Sequence, residues 1–121
     1  MIFKKKDKED KSVNESHLKN LMVLAMADGH LAEIEEHLLV AIAHRLGLSE
    51  ENVAAIKNDL ENVKFVLPKK YDDRIEQFSD LLTLMAIDGN IDPEEEEVCR
   101  EFASKYGLMD QVIEEMISKY R

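Results

Sequence analysis

An internal repeat constrains the fold of this chain more than any other feature of its sequence. A shift of 60 residues aligns residues 21–53 with residues 81–113 without a gap. Nine pairs are identical, and they include Asp28/Asp88, Gly29/Gly89, Glu35/Glu95 and Gly47/Gly107. Two copies are too few for a solenoid, in which at least three units stack. The repeat therefore predicts a single compact domain with a pseudo-two-fold, its copies spanning about residues 16–60 and 76–121.

Each copy has the pattern of three helices joined by short turns. Residues 21–27 are seven consecutive apolar residues, which is typical of a central helix that is buried all round. Gly29 and Gly89 follow the first helices, and Gly47 and Gly107 follow the second, where a left-handed glycine ends a helix. No segment alternates convincingly between apolar and polar residues, as a strand would. We therefore predict an all-α fold of six to seven helices.

The second helices are predicted at about Glu33–Leu46 and Pro93–Tyr106. Asp92 precedes the later helix and Glu95 follows three residues on, which is the spacing of a capping box. Ala32 takes the equivalent position in the first copy and has no side-chain acceptor, so half of that box is missing. The predicted N-caps of the third helices are Ser49 and Asp110.

The charge is unevenly distributed along the chain. Lysine and arginine total 16 and aspartate and glutamate total 26, a formal net charge of −10. Residues 4–11 carry five lysines and three acids, so residues 1–13 are expected to form a flexible tail, and residues 14–121 the domain. Because an acidic surface is repelled by phosphates, we expect neither nucleic acid nor a membrane as a partner.

A single cysteine, Cys99, excludes an internal disulfide and a cysteine-based zinc site. No secretory signal or apolar run of transmembrane length is present in the sequence, so we expect a cytoplasmic protein. Cys99 lies on the predicted inner face of its helix and is expected to be a buried thiol. His30, His37 and His44 are expected at the surface, and the methionines, such as Met22, in the core. Without a nucleophile, phosphate loop or cofactor motif, we expect no enzyme.

The turn between the first two helices of each copy carries the candidate chemistry. Both copies read D-G-x-[LI]-x-x-x-E, from Asp28 to Glu35 and from Asp88 to Glu95. This spacing resembles the second half of an EF-hand loop, but apolar residues such as Leu24 and Met26 occupy the first and third ligand positions. A complete EF-hand is therefore excluded, and a different acidic turn remains.

Two physical arguments indicate that these carboxylates need partners. Asp28 and Asp88 follow a helix C-terminus, where the helix dipole disfavours negative charge. Glu35 and Glu95 fall on the apolar face of a helical wheel, and a buried carboxylate must be paired. Helix capping alone would provide partners for the two glutamates. A bound cation would provide a partner for the aspartates and the glutamates. The candidate metal ligands are Asp28, Glu35, Asp88, Asp92, Glu95 and Glu96; such all-oxygen ligands favour calcium or magnesium.

The pattern resembles the TerB-like (tellurite-resistance) family. Residues 24–36, residues 84–97 and the Gly-Leu-Ser-Glu run at residues 47–50 carry the resemblance. It implies an all-α domain, cytoplasmic, with acidic clusters proposed to bind metal and a link to tellurite resistance and stress. A related domain occurs in a J-domain co-chaperone. The sequence thus predicts a non-enzymatic protein that binds a divalent cation. The alternative is a protein-interaction module whose acidic residues only cap helices; the oligomeric state stays open.

Overall fold

The computed structural model describes residues 3–26, 32–87, 89 and 91–120, with side chains from residue 11 onward. It is all-α over these residues, which confirms the predicted fold class. The α-helices are α1 (Phe3–Ala25), α2 (Glu33–Arg45), α3 (Glu50–Asn58), α4 (Tyr71–Met85), α5 (Pro93–Lys105) and α6 (Asp110–Ser118). A single 3₁₀ turn, Leu60–Asn62, follows α3.

The chain divides into two units, each of which contains one copy of the repeat. Unit 1 comprises Met1–Val66 and unit 2 comprises Leu67–Arg121. In unit 1, α1 packs against both α2 and α3. In unit 2, α5 packs against both α4 and α6. The boundary between the two units falls next to Pro68.

The helix α1 begins at Phe3, well before residue 14, where we placed the start of the domain. The charged segment that we expected to be a flexible tail is thus the first part of α1. Lysine, glutamate and aspartate without glycine or proline are compatible with a helix once a packed segment continues it. Over the described residues, no helix is both long and apolar enough to cross a bilayer.

Gly47 and Gly107 end the helices α2 and α5, as predicted. Their φ angles are +74° and +67°, in the left-handed region that glycine adopts without strain. Leu48 N–H donates to the Ala43 carbonyl at 2.9 Å, and Gly47 N–H donates to the His44 carbonyl at 3.1 Å. The equivalent bonds of Leu108 and Gly107 measure 3.2 and 3.0 Å. Both ends are Schellman motifs, which satisfy the last carbonyls of each helix.

Gly89 does not end its helix as Gly47 and Gly107 do. The helix α4 ends at Met85 with Ala86 as its C-cap, so Gly89 lies beyond the position that we predicted for it. It has a φ of +141°, and its N–H donates to the Ala86 carbonyl at 3.0 Å. Gly89 therefore shapes the turn after the helix has ended. Gly29 lies outside the described residues.

The third helices differ in how they begin. Ser49 caps α3, with its Oγ accepting from Asn52 N–H at 3.1 Å, as predicted. The prediction of Asp110 as the N-cap of α6 is wrong, because Met109 holds that position and Asp110 is the first helical residue. Met109 has no side-chain acceptor, and its N–H donates to Tyr71 Oη at 2.9 Å.

Each unit buries an apolar face from all three of its helices. The fully or nearly fully buried apolar residues of unit 1 are Leu18, Leu21, Met22, Ala25, Leu39, Ile42, Ala43, Leu48 and Ile56. Those of unit 2 are Phe78, Leu81, Leu82, Leu84, Cys99, Ala103, Tyr106, Leu108, Ile113 and Ile117. Ile34 of α2 is 53% exposed. The buried face of α2 is centred near Leu39 and Ile42, so Ile34 lies more than a quarter turn away from it.

Candidate acidic-turn site

The described candidate ligands lie at the N-terminal ends of α2 and α5. Asp92 is the N-cap of α5, Glu95 and Glu96 lie in its first turn, and Glu35 lies in the first turn of α2. Asp28 and Asp88, the two aspartates of the repeated Asp-Gly pairs, lie outside the described residues. The described part of the site therefore consists of its three glutamates and Asp92.

Asp92 and Glu95 form the capping box that their spacing predicts. Asp92 Oδ1 accepts from Glu95 N–H at 2.8 Å, and Glu95 Oε1 accepts from Asp92 N–H at 3.1 Å. Pro93 occupies the first helical position, where the missing N–H costs nothing. Each of the two carboxylates is therefore held at the N-terminal end of α5 by a hydrogen bond from a backbone N–H.

The first copy keeps half of this arrangement. Glu35 Oε1 accepts from Ala32 N–H at 3.3 Å, which reproduces the bond that Glu95 makes. Ala32 has the extended backbone of an N-cap, with φ −67° and ψ 148°, but its methyl group cannot accept from Glu35 N–H. The missing half of the box is the one that the sequence predicts to be missing.

Glu35 and Glu95 are half-buried rather than fully enclosed, whereas Asp92 is exposed. Both glutamates therefore lie toward the apolar side of their helices, as predicted, but neither is fully buried. Cys99, one turn after Glu95 on the same side, is fully buried as predicted. Burial raises the pKa of the Cys99 thiol to about 12, with smaller contributions from the negative charges of Glu95 and Glu96.

Glu96 takes part in an ion pair that the sequence analysis did not anticipate. Its Oε1 lies 3.4 Å from Arg100 Nη2, and the same nitrogen contacts Glu114 of α6. The hydrogen bond to Glu114 raises the pKa of Arg100 above its usual value, as do the charges of both glutamates. Glu96 is thus directed along α5 toward Arg100, while Asp92 and Glu95 face the helix end.

Two carboxylates alone do not make a metal site. Among the residues that the structure describes, no three histidine, cysteine, aspartate or glutamate side chains are grouped so that they could hold a metal ion. Asp92 and Glu95 supply oxygen donors of the type that calcium and magnesium prefer. Further ligands would have to come from the turn before them, where the sequence places Asp88 and Asn90.

Buried polar residues on the first helix of each unit were missed by the sequence analysis. In α1, Ser16, His17 and Asn20 are at most 4% exposed, and in α4, Gln77 and Asp80 are at most 9% exposed. The 60-residue shift pairs His17 with Gln77 and Asn20 with Asp80. Polar residues at equivalent positions of the two copies were the available signal.

One of these buried polar residues, Ser16, makes a hydrogen bond that connects two parts of unit 1. Ser16 Oγ accepts from Val66 N–H at 2.8 Å, which fixes the end of unit 1 to α1. Asn20 Nδ2 has no hydrogen-bond partner among the described residues. His37 and His44 are exposed, as predicted, and His30 lies outside the described residues.

Comparison with known proteins gives one family. The family model described as tellurite resistance protein TerB matches residues 3–58, which comprise helices α1 to α3. Neither the curated proteins nor the solved structures gave a match. The match includes Glu35 and the first Asp-Gly pair, and it ends before unit 2.

Proposed function

We propose that the chain, whose residues 3–58 match the TerB family model, is a non-enzymatic protein that binds a divalent cation. The observation that supports this proposal is the repetition of one acidic turn in both units, with Glu35 and Glu95 in the same position. Tellurite resistance or another stress response in the cytoplasm is the process that we propose for it.

Unit 2 provides the better of the two candidate sites. Asp92 and Glu95 each use one oxygen in the capping box, and a carboxylate oxygen has further lone pairs for a cation. With Asp88, they would supply three carboxylates from one turn; a hard cation such as calcium or magnesium suits this donor set. Glu96 would contribute less, because Arg100 already pairs with it. In unit 1, Asp28 and Glu35 would bind more weakly without an acid at residue 32.

No catalytic role is assigned to the one thiol. Cys99 is buried and its pKa is about 12, so the reactive thiolate form is scarce at neutral pH. We propose that the residue serves the core of unit 2.

A protein-interaction module is the second candidate function. The complete capping box of α5 favours it, because capping by itself explains why Asp92 and Glu95 are present. In that case the carboxylates would act only on stability, and a protein partner would bind elsewhere on the chain.

The double substitution Asp92→Asn/Glu95→Gln separates the two functions. Asparagine is as good an N-cap as aspartate, and glutamine can replace glutamate in a capping box. The variant therefore keeps the helix end and removes two negative charges. Glu94→Gln/Glu97→Gln is the matched control, since it removes the same charge from two exposed positions of α5.

Thermal unfolding should be recorded for the three proteins in chelator and in 10 mM calcium or magnesium. A ligand that binds only the folded state at ~100 times its Kd stabilises that state by about 2.7 kcal/mol. We expect the metal to raise the midpoint of the original protein and the control but not that of Asp92→Asn/Glu95→Gln. Equal midpoints with and without metal in all three proteins would contradict cation binding and favour the interaction module.

A further inference from the structure

The outward faces of α2 and α5, which the repeat pairs residue by residue, differ in their charge. These helices are equivalent in the repeat and bury equivalent residues, Leu39 and Ala43 in α2 and Cys99 and Ala103 in α5. Most of the outward residues of both helices face solvent. Part of the difference between the two faces follows from packing, because Arg100 of α5 pairs with Glu114 of α6; the exposed apolar residues of α2 have no such explanation among the described contacts.

The outward face of α5 is charged where that of α2 is not. Ile34, His37, Val40 and Ala41 are all exposed, and the repeat pairs them with Glu94, Glu97, Arg100 and Glu101. Ile34 and Val40 are each 53% exposed, among the most exposed large apolar residues of the described chain. In a chain of net charge −10, four outward positions without formal charge form the least repulsive surface of α2.

The ends of this face carry opposite charges. Glu33 and Glu36 are exposed in the first turn of α2, and His44 and Arg45 are exposed in its last turn. A two-fold axis through the middle of α2 would place the acidic end of one helix opposite the basic end of the other. The apolar residues Ile34 and Val40, with His37 between them on the helix surface, would then lie in the contact.

We propose that the outward face of α2 pairs with the same face of a second copy of the chain, with the two helices antiparallel. A surface that is self-complementary in this sense is what an isologous dimer requires. The parallel arrangement would place Glu33 and Glu36 of both copies together, and like charges would oppose it.

The size of the face places this contact among small, transient interfaces. The 13 residues of α2 extend over about 20 Å, so the contact is much smaller than the ~800 Å² per partner of a standard interface. The dimer is therefore weak, with a Kd between about 10 µM and about 1 mM. Sedimentation velocity from about 5 µM to about 1 mM covers this range.

Substitution of the apolar residues is the first test. Ile34→Glu/Val40→Glu should weaken association at least tenfold, because it buries two charges in the contact. Ala54→Glu/Ala55→Glu adds the same charge at exposed positions of α3 and should leave association within twofold of the original. Circular dichroism establishes that each variant is folded. A monomer at every concentration of the original chain, or equal weakening by both variants, would overturn the proposal.

A charge exchange tests the antiparallel orientation. Glu33→Lys/Glu36→Lys and Arg45→Glu should each associate at least threefold more weakly than the original chain, since like charges then meet at both ends. An equimolar mixture of the two variants should recover the original affinity, because each basic end then faces an acidic one. Association that the mixture does not restore would exclude the antiparallel α2 pair, even if another contact holds the copies together.

Discussion

The half-formed capping box at α2 allows a stabilising substitution to be predicted from the chain's own repeat. Ala32 has φ −67° and ψ 148°, close to the values of −80° and 169° at Asp92. An aspartate at residue 32 can therefore accept from Glu35 N–H as Asp92 accepts from Glu95 N–H. Glu35 already makes the reciprocal bond at 3.3 Å, so only one bond has to be added.

The expected gain from Ala32→Asp is about 1 kcal/mol in the free energy of unfolding, within the ~0.5–2 kcal/mol range of N-cap substitutions. For a chain of 121 residues, whose unfolding entropy is about 0.25 kcal/mol/K, this raises the midpoint by about 4 °C. Urea and thermal unfolding in chelator measure the change without any contribution from metal. Circular dichroism provides the signal, because the helices dominate the fold.

Two further variants test whether the change in stability comes from the N-cap hydrogen bond. Ala32→Asn should stabilise by a similar amount, because a neutral cap accepts the same bond without adding charge near Glu33 and Glu36. Asp92→Ala should lower the stability by about 1 kcal/mol, since it turns the complete box into the incomplete one. If Ala32→Asp and Ala32→Asn both leave the midpoint unchanged, the equivalence of the two helix ends is wrong.

Three other predictions follow from described contacts. Gly107→Ala should destabilise by about 1 kcal/mol, because alanine is strained at a φ of +67°, and the urea midpoint measures it. Tyr71→Phe should cost about 1 kcal/mol by removing the acceptor of Met109 N–H, and the loss should show as faster amide exchange at Met109. Cys99 should react with a thiol reagent at pH 8 only in urea; a fast reaction of the folded chain would contradict its burial. Because its pKa is raised from 9.0 to about 12 on folding, its contribution to stability is complete below pH 9 and is lost as the pH rises toward 12, which urea titrations of the original and of Cys99→Ala would detect.

Local patterns in the sequence predicted the parts of the fold that local chemistry determines. Gly47, Gly107, Ser49 and the Asp92–Glu95 pair each act within a few residues of their own position, and each was predicted correctly. The prediction of Asp110 as an N-cap is wrong because the cap lies at Met109, which the repeat pairs with Ser49.

Features that depend on packing were harder to predict. The early start of α1 follows from its continuation into a packed helix, which composition alone does not reveal. The exposure of Ile34 depends on where the buried face of α2 is centred, and a helical wheel fixes spacing but not that centre. The candidate site has the same difficulty, since capping and cation binding use the same carboxylates and the sequence cannot separate them.

Amide NMR during titration with calcium and magnesium tests the proposed cation site most directly. As metal is added to the metal-free protein, the amide signals of Gly89 and Glu95 should shift, and the shifts should saturate at millimolar metal. They should do so in Glu94→Gln/Glu97→Gln and not in Asp92→Asn/Glu95→Gln. If these amides stay in place up to 10 mM of either metal, or shift equally in both variants, the acidic turn is not a cation site.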